Sequence, residues 1–338
     1  LSSNGWCLYI MHPKSFVSNF WGAVQYWRGD SLRRGRLRAK EGTYEGLFNR
    51  RMEEHGEGEF TANDGGYYVG KWKDGRRDGF GFSVAPHEVV KCGVWAKGRF
   101  RGEQMLYHSE RIYGIDISKY QHVHKRRVYG IDWRNLRITR LGHTADRNAL
   151  GAVDYPVSFV YIKSTEGLTV FNPYYTQDVR AARRYGFPVG AYHFFSTRPA
   201  MSQADYFLKK SRLRKGDLPP MLDVELSDRR IAAMGGRDVL FREMLVWLKE
   251  VGRRSGTTPI IYVSQDFVNR YMPFAPEELK AYPVWVARYG EYKPYVHLLY
   301  WQLSPDGRVR GIQGDVDIDV FNGSEEQFKR YLRAQTVK

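Results

Sequence analysis

From Ile112 to the C-terminus one texture repeats: a short apolar run, a segment with helical spacing, then another apolar run. That alternation is the pattern of a βα fold and constrains this chain more than any single motif does. Strands are expected at 113–120, 158–167, 189–195, 219–225, 259–264, 284–289, 298–303 and 316–321. Asn172 and Pro173 predict the start of a helix that runs to Arg184 and stops at Gly186. Further helices are expected over about 200–212 and about 237–254, the second with Val239, Leu240, Met244, Leu245, Leu248 and Val251 on one face. Ser324 and Gln327 form a capping box that opens the last helix. Eight strands, the early ones separated by helices, imply a closed α/β barrel with an irregular final third. In such barrels the chemistry sits at the C-terminal ends of the strands.

The fourth strand ends in two carboxylates. Side chains alternate faces along a strand, so Asp223 and Glu225 share one face, with Cα atoms roughly 6–7 Å apart. Two acids that close do not titrate alike, because ionising one raises the pKa of the other. A carboxyl kept protonated beside one kept charged is what glycosidic bond cleavage needs. The same pair also fits a strand end that caps a helix or binds an arginine. Five other strands add to it: Asp116, Glu166, His193, Gln302 and Asp317 also fall late in, or just after, apolar runs, where a buried polar group is costly unless it serves a purpose.

Charge narrows the partners only partly. The net charge is +16, with 17 Lys and Arg against 13 Asp and Glu in residues 1–110, and 36 against 24 in residues 111–338. A basic surface attracts polyanions such as nucleic acid, anionic lipid or a cell-wall polymer, and charge does not choose among them. Aromatic residues make up 15% of the chain, which suits both sugar stacking and a Tyr/Trp-rich β module. Cys7 and Cys92 form neither a ligand cluster nor a disulfide framework, and are expected as two thiols. No apolar run is long enough to span a membrane. The chain starts at Leu1 rather than Met, so a signal or anchor cut away upstream is compatible with it, and its absence is no evidence for the cytosol.

The first 110 residues read differently. Residues 1–40 form an aromatic extension without clear period, and 31–40 is expected to be a solvated basic linker. Then the chain repeats itself. Tyr44-x-Gly46-x-Phe48 recurs as Tyr68-x-Gly70-x-Trp72 and, more weakly, as Lys91-x-Gly93-x-Trp95. Gly56-x-Gly58 recurs as Gly79-x-Gly81, and Asp74-Gly75 supplies a hairpin turn. Small glycines leave room for aromatic rings over the backbone, and such units must stack to bury a face. Residues 41–107 resemble MORN repeats, which implies an antiparallel β module that meets a membrane lipid or a protein partner, or one that only supports the next domain.

Residues 111–338 resemble the glycoside hydrolase family 25 lysozymes, the Chalaropsis-type muramidases. The matching residues are Gly114 to Ser118 with Gln121, Ile162 to Gly167, Gly190 to Phe194, Asp223-Val-Glu225, Trp285 to Ala287 with Tyr289, Trp301-Gln302, and Val316 to Asp319 with Phe321. The resemblance implies a modified TIM-like (β/α)5β3 barrel that hydrolyses the β-1,4 bond between N-acetylmuramic acid and N-acetylglucosamine in peptidoglycan. It implies Glu225 as general acid, Asp223 as partner carboxylate, and Asp116 and Asp317 as two further acids. Asp317 is the aligned acid, rather than Asp315 or Asp319. Tyr192, Trp285, Tyr289 and Trp301 would form sugar-stacking walls, with Glu166, His193 and Gln302 also at the substrate. Either direct attack by Asp223 or assistance by the substrate's own N-acetyl group fits. No cofactor, metal or nucleic acid is implied, and the expected location is extracytoplasmic: periplasmic, secreted or envelope-attached. One departure from the family is the basic stretch 122–156, either a rim loop gripping an anionic glycan or a solvated excursion.

Other readings find less support. His122 and His124 lack a third metal ligand. Asp315, Asp317 and Asp319 alternate with apolar residues and lack the glycine of a calcium loop. His193 reads as a hydrogen-bonded wall residue rather than a base. The alternative function is a non-catalytic glycan-binding barrel with the repeats as a membrane or protein module; a related hydrolase acting on chitin is a third.

Overall fold

A computed structural model of the chain describes residues 32–84, 91–103, 111–124, 126–144, 147–149, 152–287 and 297–338, with short strand pairs at 9–10, 20–21 and 23–24. The chain divides into two compact units, residues 1–106 and 107–338.

The first unit is an antiparallel meander. Its strands are β1 (Arg33–Arg38), β2 (Gly42–Phe48), β3 (Glu54–Ala62), β4 (Tyr67–Lys73), β5 (Arg76–Val84), β6 (Lys91–Ala96) and β7 (Arg99–Glu103), each paired with the next. One glycine from each of six strands falls into register. Gly35 pairs with Gly46, Gly46 with Gly58, Gly58 with Gly70, Gly70 with Gly81, and Gly81 with Gly93. This bare track across the sheet is where the aromatic rings lie. A Cβ on Gly58 would come 2.2 Å from the Tyr44 hydroxyl, and one on Gly81 would come 2.4 Å from that of Tyr68. Tyr44 donates to the Leu47 carbonyl and Tyr68 to that of Lys71, both at 2.9 Å, so the same bond recurs one repeat later. Tyr44, Phe48, Tyr68, Trp72 and Trp95 form the buried cluster over this track.

The basic run expected as a linker is instead β1. Arg34, Arg36 and Arg38 are exposed, Gly35 joins the glycine track, and Leu37 packs on the aromatic cluster. The period-2 alternation hidden among the arginines is what makes it a strand. Cys92 is buried, while Cys7 lies outside the described residues, as does most of the extension 1–40.

The second unit is a barrel. Its strands are β8 (Ile112–Ile117), β9 (Val160–Glu166), β10 (Val189–Phe194), β11 (Met221–Val224), β12 (Ile260–Ser264), β13 (Pro283–Ala287), β14 (His297–Arg310) and β15 (Val316–Phe321). Strands β8 to β14 pair in parallel in chain order, and β15 closes the ring antiparallel to both β14 and β8. Helices α1 (Tyr175–Arg184), α2 (Ala200–Ser211), α3 (Asp228–Ala233), α4 (Arg237–Ser255), α5 (Gln265–Arg270) and α6 (Glu277–Lys280) fill the four crossovers from β9 to β13. Helix α7 (Glu325–Ala334) begins at the Ser324/Gln327 capping box and packs Phe328 against Phe159 and Phe321, at the end of the barrel where β8 and β9 begin. The barrel interior there is aromatic: Phe159, Tyr161, Trp285 and Tyr300 are all completely buried.

The crossover from β8 to β9 holds no α-helix among the described residues. Its basic stretch does not run free in solvent where it is described. Trp133, Leu136 and Ile138 are buried, and the short strand Arg137–Arg140 pairs with the far end of β14. His122 is buried between the Asp178 carboxylate, 2.8 Å from Nε2, and the Tyr129 carbonyl, 2.9 Å from Nδ1. Burying apolar side chains at about 1.5–3 kcal/mol each is enough to hold such a segment down despite its charge.

Candidate active site

The C-terminal ends of the parallel strands and the start of antiparallel β15 form a groove of about 940 Å³. Asp116 of β8, Asp223 of β11, Glu225 just beyond β11 and Asp317 of β15 all line it, with Tyr192 and Gln302. Register explains the convergence. Asp116 sits opposite Asp317 on paired strands, and Asp223 lies beside Tyr262, which also lines the groove. The period-2 rule then carries Glu225 to the same side as Asp223.

Hydrogen bonds hold the floor in place. Tyr192 donates to Asp116 at 3.5 Å, and Tyr262 donates to the Gln302 side-chain oxygen at 3.2 Å. After β8 the chain turns sharply through a capping box. The Ser118 amide donates to Gln121 Oε1 at 2.7 Å, and Gln121 Nε2 donates to the Asp315 carbonyl at 3.1 Å. Gln121 thereby ties the turn after Asp116 to the approach to Asp317.

Crowding acids in one groove raises their pKa values. Burial pushes Asp116 and Asp317 well above the carboxylate range; the Asp116 charge raises Asp317 further, and the Glu225 charge adds to both. Burial raises Asp223 strongly, and Glu225 and Asp116 raise it further. Glu225 is the exposed member, yet the groove walls desolvate it enough to lift its carboxyl too. Lys163 opposes the rise at Asp223 and Glu225. Carboxyls that hold protons near neutral pH beside a solvent-facing one suit acid catalysis at a glycosidic bond.

Four sequence expectations for the site come out differently, and a fifth, Tyr289, falls outside the described residues. Trp285 is completely buried on the barrel axis against Tyr161 and Tyr300, so it is a core residue beneath the groove and not a sugar wall. Trp301 points outward between the inward Tyr300 and Gln302, is 2% exposed, and lies under the Arg111 guanidinium. His193 also faces outward, behind the sheet. It sits 2.7 Å from the Thr165 hydroxyl and 3.1 Å from Gln203 Oε1, stacked on Trp247 of α4, and burial lowers its pKa to about 4. Glu166 is not among the lining residues; its carboxylate holds Lys163 at 2.7 Å.

Sequence reasoning passed over Lys163 and Tyr262. Among the described residues Lys163 is the sole cation lining the groove, and its ammonium sits 4.3 Å from the centre of the Phe194 ring. The available signal was parity: Lys163 is two residues past the inward Tyr161, and Tyr262 is paired with Asp223. Among the described residues no three His, Cys, Asp or Glu side chains come together to hold a metal ion.

Comparison with known proteins bears on the same unit. Residues 115–312 match the family model described as glycosyl hydrolases family 25. The chain is 33% identical over 228 residues to the uncharacterized protein YegX of Escherichia coli K12, an alignment covering 66% of this chain and 74% of that one. It is 29% identical over 229 residues to Lysozyme M1 of Streptomyces globisporus, covering 63% of this chain and 68% of that one. The bacterial lysozyme from Streptomyces coelicolor superposes with a TM-score of 0.54 at 26% identity, over 68% of this chain and 98% of that structure. With the family match running from the first barrel strand to the end of the seventh, the protein belongs to the glycosyl hydrolases of family 25.

Proposed function

We propose that the barrel is a peptidoglycan hydrolase of the lysozyme (muramidase) type, cutting the β-1,4 bond between N-acetylmuramic acid and N-acetylglucosamine. The observation that carries this reading is the gathering of Asp116, Asp223, Glu225 and Asp317 around one groove. The likeness to Lysozyme M1 and to the Streptomyces coelicolor lysozyme supports the substrate class. In this reading Glu225 is the general acid. It is exposed at the groove, where a bridging sugar oxygen can reach it, and its raised pKa keeps a proton available. Asp223 is the partner carboxylate, acting on the anomeric carbon or orienting the substrate's N-acetyl group. Ionised Asp116, with Asp317 beside it, faces the positive charge that develops on the sugar ring. Tyr192 and Tyr262 supply walls.

The finer family features belong to the same proposal: a (β/α)5β3 barrel of the Chalaropsis type, a MORN-type repeat that meets a membrane lipid or protein partner, and a place of work outside the cytoplasm, where peptidoglycan is.

The test is clearing of a peptidoglycan suspension by the full chain and by Glu225→Gln, with mass analysis of the sugar fragments. Muramic acid at the new reducing end is the expected product. Equal clearing by both proteins rejects the assigned acid. No clearing by either favours a glycan-binding barrel, and release of chitin fragments instead points to a different hydrolase.

A further inference from the structure

One carboxyl near the groove has no part in the mechanism above. Asp319 lies two residues beyond Asp317 on β15, so it faces the same way, one layer deeper. Its Cα partners are Gly114 on β8 and Gln302 on β14. The layer it enters is aromatic. A Cβ on Gly114 would come 2.2 Å from the Phe159 ring, and Tyr161, Trp285 and Tyr300 are completely buried around it.

Asp319 is itself 0% exposed; the donors nearest its carboxyl are the Trp285 indole and the Asp116 amide, and neither reaches it with full hydrogen-bond geometry. The groups that act on Asp319 are the Asp116 carboxyl and amide from β8, Asp317 from its own strand and Trp285 from β13, and Asp319 in turn acts on Tyr300 of β14. None of these is a cation. An unpaired carboxylate in such a layer would cost several kcal/mol or more, and a group in that position takes up a proton instead. Burial, followed by the Asp116 and Asp317 charges, drives its pKa well upward.

A neutral carboxylic acid is a hydrogen-bond donor, whereas a carboxylate is not. The acceptors above Asp319 are the acids of the groove floor. We propose that Asp319 is a positioning residue for Asp116: a carboxylic acid kept protonated beneath the floor, whose hydroxyl turns to the Asp116 carboxyl when that group ionises. This rests on the reading of Asp116 as an acid that works ionised. A donor from below favours the charged form of Asp116, so it offsets part of the burial and repulsion that work against ionisation.

The experiment compares the full chain with Asp319→Asn, which keeps a neutral donor, and Asp319→Leu, which removes it. Activity on a peptidoglycan suspension is followed against pH. A hydrogen bond to a charged group is worth about 1.5–3 kcal/mol, so Asp319→Leu should lose roughly tenfold or more in kcat/KM. Its acid limb should move to higher pH, because Asp116 is then harder to ionise. Asp319→Asn should recover most of the activity and keep the wild-type limb. Infrared difference spectra of wild type minus Asp319→Asn near neutral pH should show the carbonyl stretch of a protonated carboxylic acid. That measurement needs neither catalysis nor the Leu variant, which decides the matter if Asp319→Leu does not fold. A carboxylate signature in that difference, or a wild-type limb in Asp319→Leu, overturns the proposal. If Glu225→Gln keeps full activity, the reading of the site is what has failed, and the infrared result still judges Asp319.

Discussion

The Lys163 ammonium and the Glu166 carboxylate meet at 2.7 Å because β9 carries a register shift between Lys163 and Thr165. Residues three apart on a regular strand point to opposite faces. The irregularity brings both side chains to the mouth of the barrel, as such bulges do beside active sites. Glu166 thereby holds the Lys163 ammonium in place over Phe194.

Lys163 lowers the pKa of both Asp223 and Glu225, so its removal should raise both. Lys163→Met should therefore shift the acid limb, to which ionisation of Asp223 contributes beside that of Asp116, and the alkaline limb, set by deprotonation of Glu225, toward higher pH. Glu166→Gln removes a charge that raises Asp223, so it should move the acid limb the other way, toward lower pH. Profiles of kcat/KM against pH check this; limbs that stay in place in Lys163→Met would show that the cation does not tune these acids.

Glu225→Gln keeps shape and polarity at an exposed position and removes the proton donor. Activity should fall about 10²–10⁴-fold, the usual contribution of a general acid. The thermal midpoint should stay close to that of wild type, and a large drop in it would mean that Glu225 is structural.

Trp285→Ala should act on stability. The side chain is completely buried between Tyr161, Tyr262 and Tyr300, and truncating a core tryptophan costs about 3–5 kcal/mol. Denaturant unfolding followed on the barrel measures it. A stable Trp285→Ala protein with weakened glycan binding would restore the sugar-wall role.

His193 makes the fold sensitive to acid. Its pKa is about 4 in the folded chain against an ordinary 6.5, so the unfolded chain binds the extra proton between those values. The stability it contributes is present above about pH 6.5 and is lost progressively as the pH falls toward 4. In His193→Gln, which keeps a neutral hydrogen-bonding side chain, the loss of stability over that window should be smaller than in wild type. Parallel denaturant series at both ends of the window give the comparison.

In the N-terminal sheet, Gly58→Ala should force the Tyr44 ring off its track, since the new Cβ would sit 2.2 Å from the hydroxyl. Overpacking of this kind costs about 1–3 kcal/mol. Tyr44→Phe loses only the bond to the Leu47 carbonyl, about 1 kcal/mol. Thermal unfolding of the two variants should rank them in that order.

The residue order by itself determined the alternation of strands and helices in the barrel, the spacing of the aromatic repeat, and the meeting of Asp223 with Glu225. Each follows from a local period of 2 or 3.6, which sequence carries directly. The glycine track was half legible: the spacing marked the repeat, but Gly35 was hidden in a basic run because charge masks a period-2 pattern until a partner strand lies beside it. Tertiary structure alone decided which side of each strand meets the barrel axis. It turned His193 and Trp301 outward, sank Trp285 beneath the floor, and, through one irregular step in β9, brought Glu166 round to clamp Lys163. Sequence period says which residues share a face; only closure of the ring says which face is inside.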